Sequence, residues 1–420
     1  MKRVLLLLPV ASYRNEDFLE AAQRLGVEVI PVADYCPQLA PGWGLDPMLA
    51  VPFDQPAVAL ATVLRHLPQK PDAVLAVDDH GLELAALLRE HLGLSGNPNV
   101  AVTLTRDKLA FRQLLRGRGL NAPSFRNLPH DADLEQWAEQ VDYPAVVKAR
   151  RLSSSRGVVR VNDKQEFIAA AKWVRQIQGR ADRESQELGL VVEDFIPGKE
   201  YALEGLLNEG KLTVLALFDK PDPLDGPYFE ETIYVTPSRL PEAMQGEIAD
   251  TVRRACELAG LVSGPIHAEM RVNQQGVWLL EVAARSIGGL CGRVLRHALG
   301  MSLEEVVLRQ ALGMPVPQAE ARGAAGVLMI PVPKRGIYQG VSGMDVARRI
   351  PGVTDIQIAV EPGTRMLPVP EGASYLGFIF SQAATPAQAE QALRVGHNLL
   401  GFDIQTEVEV VTQRGERAPS

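Results

Sequence analysis

From Arg3 to Ala101 short apolar runs alternate with longer stretches whose apolar residues recur at helical spacing. The rhythm predicts strands at 4–8, 28–32 and 73–77 and helices at 16–25, 57–66 and 81–92, the signature of a parallel sheet flanked by helices. Further on, strands are predicted at 143–149, 157–161, 190–196, 200–207 and 212–218, with helices at 163–179 and 243–259 and one starting at Thr105 that holds Asp107 in its first turn. Two alternating runs, 266–273 and 277–283, flank Gln274, Gln275 and Gly276, which read as a three-residue hairpin loop. In that register Glu269 faces Glu281, His267 faces Ala283 and Arg271 faces Leu279. The opposite face, Ile266, Ala268, Met270 and Val272 with Trp278, Leu280 and Val282, is apolar and is expected to pack on a core.

Composition narrows the class. With 420 residues, 46% hydrophobic and 22% charged, the chain is long enough for two or three globular domains. A formal net charge of −8 argues against a nucleic-acid surface, and the basic group Lys148, Arg150, Arg151, Arg156 and Arg160 suits a small polyanion better. Cys36, Cys256 and Cys291 form neither a disulfide framework nor a CxxC site, which points to a reducing cytoplasm. No apolar run reaches membrane-spanning length; the opening MKRVLLLLPVAS mimics an export signal but lacks an A-x-A cleavage site and reads as a buried first strand. No GxGxxG follows that strand, so its α/β shape carries no dinucleotide fingerprint. Asp78 and Asp79 close the third strand at its carboxyl end, either as ligand contacts or as a helix cap. After Pro315 the composition shifts, marking a further region from about residue 320, and Thr385, Pro386 and Gln388 predict the start of a helix running to 400.

The opposed carboxylates Glu269 and Glu281 need a compensating cation: Arg271, Arg285 or a divalent metal. Two carboxylates plus phosphate oxygens would meet the octahedral demand of Mg²⁺, while a pair of solvated acids beside arginines is the alternative the hairpin alone leaves open. Before the hairpin come a helix-borne Lys108, a strand-borne Lys148, the polar loop Ser153-Ser154-Ser155 ahead of Gly157, and the stretch VEDFIPGKEY from Val192 to Tyr201.

In this order the features resemble the ATP-grasp ligases, and within them the carboxylate–amine ligase branch of L-amino-acid ligases and carnosine-synthase-like enzymes. The resemblance covers about residues 100–310. It implies an α/β ATP-grasp fold: a Rossmann-like domain at 1–102, an ATP-grasp domain at 103–318 with halves near 103–188 and 189–318, and a C-terminal lid region at 319–420. It further implies that Lys108 and Lys148 hold ATP phosphates, with Ser153, Ser154 and Ser155 wrapping them. Glu193 would sit in the hinge, Asp194 and Ile196 would meet adenine through their backbone, and Glu200 would bind the ribose. Glu269 and Glu281 would bind Mg²⁺, or Mn²⁺ in its place, while Arg285 and His267 would act beside the transferred phosphate and Arg271, Gly288 and Gly289 would face substrate. The family's third metal ligand, an asparagine, is replaced by Ala283. The implied reaction joins a carboxylic acid to an amine, that of an amino acid, through an acyl phosphate, with ADP and phosphate as products. An acid–thiol ligase, a kinase on the same fold and an inactive nucleotide-binding protein are the alternatives, and a homodimer is left open.

Overall fold

A computed structural model describes residues 1–10, 12, 14–34, 49–181, 187–316, 323–369, 371–372 and 375–406. Cys36, the boundary near residue 320 and residues 182–186 of the stretch 180–188, whose composition reads as a charged linker, lie outside them.

The first strand, Arg3–Leu8, is central in a four-stranded parallel sheet, between Glu28–Ala33 and Ala73–Ala76, with the short Leu49–Ala50 at the edge. Its RVLLLL run is apolar without alternation because helices cover both faces of such a sheet. A second sheet of four strands, ordered Phe125–Leu128, Leu190–Asp194, Ala145–Ala149 and Val158–Val161, is antiparallel and carries the helix Lys164–Ala181. The largest sheet has eight strands: Gly276–Ala283, Gly264–Asn273, Lys199–Asn208, Lys211–Asp219, Ile233–Thr236, Ala324–Ile330, Gly377–Ala383 and Val353–Ile358. Ile233–Thr236, buried at all four positions, has no alternation and was not expected as a strand. A three-stranded sheet near the C-terminus completes the set. Among the described residues no helix is long and apolar enough to cross a membrane.

Two expectations change. Thr105 lies inside the helix Asn99–Arg106, and Asp107 is the N-cap of a new helix, Lys108–Leu115, its carboxylate accepting from the amides of Leu109 and Ala110. Extended backbone at the cap interrupts what the periodicity reads as one helix.

The hairpin register is also altered. His267 faces Ala283 and Glu269 faces Glu281 as expected, but a bulge between Glu269 and Met270 places Arg271 opposite Trp278 instead of Leu279. Leu280 is the extra residue, and a two-residue turn over Gln274 and Gln275 replaces the three-residue loop. The bulge reverses the alternation on the second strand: Val277 and Leu279 join Ile266, Ala268, Met270 and Val282 in the core, while Trp278 and Leu280 do not. Against this face packs the helix Glu242–Ala259, through Ile248, Val252, Ala255, Cys256 and Ala259 at helical spacing.

Candidate active site

An open cavity of about 200 Å³ lies between the four-stranded antiparallel sheet and the eight-stranded one. The residues that the resemblance assigns to the site all line it: Lys108, Lys148, Ser153, Ser154, Ser155, Glu193, Asp194, Ile196, Glu200, His267, Glu269, Arg271, Glu281, Arg285, Gly288 and Gly289; of the basic group only Lys148 does, and Asp78 and Asp79 do not. Val146, Leu152, Val158, Phe195 and Leu280 give one part of the wall an apolar lining, and Ile287, Cys291, Met329 and Tyr375 do so elsewhere.

Most of the charged groups are held by nameable partners. Lys148, directly after the buried run Ala145-Val146-Val147, is fixed by Glu193, whose Oε2 lies 2.7 Å from Nζ. Glu193 also meets the fully buried Arg112 at 2.8 Å, so one carboxylate sits between two cations. Burial opposes its ionisation, but Arg112 and Lys148 outweigh that and lower its pKa. Arg112 had no signal in the sequence beyond its place on an amphipathic helix. Lys108, the first residue of its helix, donates to the carbonyl of Leu152 at 2.6 Å and thereby ties the helix to the serine loop. In that loop Ser154 and Ser155 adopt φ of 58° and 55°, and Gly157 follows at 63°. Consecutive left-handed residues turn backbone amides toward a common side, as anion cradles require.

The pair Glu269 and Glu281 is compensated from several sides: Lys220 and His267 meet Glu269, and Lys108 and the charge of Arg285 act on Glu281. Of the two expected arginines, Arg271 is engaged elsewhere. Lys220 is buried and lies 2.8 Å from Glu269, 2.9 Å from Glu200 and 2.7 Å from Glu231. Lys108 approaches Glu281 at 3.7 Å. The composition of 219–228 predicts a loop long enough to be functional, and the segment up to Glu231 is expected to shape the substrate pockets, but no pattern in it singles out Lys220 or Glu231. Arg271 places its guanidinium on Glu200, on the carbonyls of Ile196 and Leu224, and over the rings of Phe195 and Phe229. It therefore organises the cavity wall and binds the hinge to the 219–231 segment. Both oxygens of Glu200, assigned to ribose by resemblance, carry cations here.

His267 stands 3.5 Å from both Glu204 and Glu269. Burial disfavours its charged form, yet the two carboxylates prevail and push its pKa up to about 9. For Glu269 burial is likewise overridden, by Lys220 and His267, and its pKa falls well below the carboxylate range. Burial raises Glu231 to about 7, with Lys220 opposing and Glu269 adding to the rise.

A family model for the ATP-grasp domain matches residues 141–294, and one for L-amino acid ligase C-terminal domain 2 matches 328–404. The crystal structure of an L-amino acid ligase from Bacillus licheniformis superposes with a TM-score of 0.79 at 25% identity, covering 97% of this chain and 99% of that one. The chain has an ATP-grasp domain followed by an L-amino acid ligase C-terminal domain. Carnosine synthase 1 of Mus musculus is 28% identical over 56% of this chain, and a D-alanine–D-alanine ligase of Pseudomonas putida is 32% identical over 46%. The chain spans 30% of the first relative's length and 60% of the second's.

Does this ATP-grasp cavity fit a hard cation? The Glu281 carboxylate meets Lys108 only at 3.7 Å, and both it and Glu269 line the cavity. Oxygen donors facing a polar cavity suit Mg²⁺. The tighter acid cluster, Glu200, Glu231 and Glu269 within 4.8 Å of one another, surrounds Lys220, which already supplies its cation.

Proposed function

We propose that the chain joins a carboxylic acid to an amine at the expense of ATP, through an acyl phosphate, with ADP and phosphate as products. The observation that carries this reading is the convergence of Lys108, Lys148, Arg285, Glu269 and Glu281 on one cavity whose neighbouring wall is apolar. The chemistry asks for little covalent help from the protein, since positioning and charge stabilisation account for most phosphoryl-transfer catalysis.

In this reading the apolar wall of Val146, Val158 and Leu280 takes the base, with backbone groups of Asp194 and Ile196 along its edge. Lys108, Lys148 and the amides of 153–157 grip the phosphates. Lys148 reaches them already oriented by Glu193. Glu269 and Glu281 would hold Mg²⁺, which neutralises phosphate charge when bound. Arg285 and protonated His267 present positive charge to the transferring group, and Gly288 and Gly289 let backbone approach the acid. Once the acid carries a phosphate, an amino acid's amine attacks the carbonyl, the C–O bond to phosphate breaks and the C–N bond forms. The reaction belongs in the cytoplasm, where ATP and reduced thiols coexist; Cys256 and Cys291 are buried and unpaired.

The test is nucleotide chromatography with a matrix of acids and amino acids. ADP and phosphate released only when both partners are present are expected. AMP with pyrophosphate would overturn the acyl-phosphate route, and ADP without amide would make the chain a kinase.

A further inference from the structure

Arg285 owes its pose to a residue 206 positions away in sequence. Its Nε donates to Oδ2 of Asp79 at 2.7 Å, and its Nη1 donates to the carbonyl of Ser286 at 3.1 Å. Among the described residues Nη2 meets no protein acceptor, and the side chain lines the cavity. One edge of the guanidinium is thus bound to protein while the other is left for a ligand. A guanidinium is a planar fork, so fixing Nε and one terminal nitrogen fixes the direction of the remaining N–H groups.

Asp79 is itself well placed to act as an anchor. It begins the short 3₁₀ turn Asp79–Gly81 just after the strand Ala73–Ala76, at the carboxyl edge of the parallel sheet. Asp78 performs the capping role there, accepting from the amide of His80 at 3.0 Å, which leaves the Asp79 carboxylate to Arg285. The same domain makes a second contact one residue on: buried Arg14, the N-cap of the helix Asn15–Arg24 that follows the first strand, donates to the carbonyl and hydroxyl oxygens of Ser286. From the eight-stranded sheet, Glu204 accepts the amide of Ile287 at 3.0 Å. Residues 285–287 are therefore held from two sheets, and Asp79 is the member that touches the guanidinium.

We infer that Asp79 is a positioning residue for the ligase reaction, holding Arg285 so that its free edge meets the phosphoryl or carboxylate group of the reacting acid. This rests on the reading given above. It also assigns the parallel sheet a direct part in turnover, through a carboxylate that never touches substrate.

The experiment compares Asp79→Asn and Asp79→Glu with the wild type, each normalised to its folded fraction. In Asp79→Asn, kcat is expected to fall by about a hundredfold, the loss that misplacing a catalytic group brings, with the KM for ATP little changed. Asp79→Glu, which keeps the charge, should recover most of the rate. A purely structural role would lower the folded fraction and leave kcat per folded molecule intact, and that result overturns the inference. A second measurement does not depend on finding the substrates: the Nε–H resonance of Arg285, identified by its loss in Arg285→Lys, should exchange slowly with water in the wild type and rapidly in Asp79→Asn. Unchanged exchange also overturns the inference. Slow wild-type exchange lost in Asp79→Asn, with no acid- and amine-dependent turnover in the wild type, would uphold the anchor and overturn only the proposed function.

Discussion

At the scale of single residues the site is a set of charges, most of them held by opposite charges in direct contact. Glu281 is the exception, since its facing partner Glu269 is a like charge and Lys108 is distant. Glu281→Ala should therefore cost turnover at least about a hundredfold at ordinary Mg²⁺, the scale of removing one electrostatic contact to the transition state. Its unfolding free energy should stay within about 1 kcal/mol of wild type, because a facing like-charge pair is relieved. Urea unfolding alongside the rate assay checks both, and near-normal turnover would reduce the pair to a solvated face. Glu193 behaves in the opposite way. It sits between Arg112 and Lys148, so Glu193→Gln leaves two buried cations without their counter-charge and should destabilise the protein at pH 7 by about 3–5 kcal/mol. Because the folded-state pKa of Glu193 is lowered, its contribution is fully present above the unfolded carboxylate value and is lost as pH falls through the folded one. The stability gap between wild type and Glu193→Gln should narrow as unfolding is measured at successively more acid pH. A gap independent of pH would contradict the assignment.

Among the elements, the 219–231 segment joining the strands Lys211–Asp219 and Ile233–Thr236 does more than connect them. Asp219 is held by Ser238 and Arg239, and Asp222 by Thr232 and by Arg394 on the helix Pro386–Asn398, so Lys220 is fixed on either side before it reaches the three acids. Lys220→Met should leave Glu200, Glu231 and Glu269 facing one another without their shared cation, with only Arg271 on Glu200 and His267 beside Glu269, and lower stability by about 3–5 kcal/mol. Divalent cations should restore part of that loss, since the three oxygens lie close enough to share one ion. A thermal melt with and without Mg²⁺ measures it, and a variant equally stable in both, at wild-type level, would show that the cluster needs no cation.

For the whole molecule, the cavity is built between sheets, with Lys148 on one side and Glu269 and Glu281 on the other. A ligand spanning them binds only the folded arrangement. Mg·ATP at a hundred times its dissociation constant should accordingly raise the unfolding free energy by about 2.7 kcal/mol. The rise should be absent in a variant that cannot bind nucleotide, such as Lys148→Met, and equal rises in both would place the nucleotide elsewhere.

The sequence by itself determined the local elements and most of the candidate chemistry. Periodicity marked the parallel strands and their helices, since burial imposes a period of two or of 3.6 on any chain that folds this way. The order of Lys108, Lys148, the serine loop, Glu193, Glu269 and Glu281 was enough for the family resemblance, and all of them reach one cavity. Tertiary structure decided which charges meet. Arg112 with Glu193, Lys220 with three acids, and Asp79 with Arg285 are pairings across 11 to 206 positions, and no local pattern encodes a partner that only folding brings near. The bulge at Leu280 is of the same kind. Alternation fixes which residues could face the core, but the position at which the ladder slips by one is set by packing on both sides of the sheet, and it moves Arg271 from Leu279 to Trp278 while leaving Glu269 opposite Glu281.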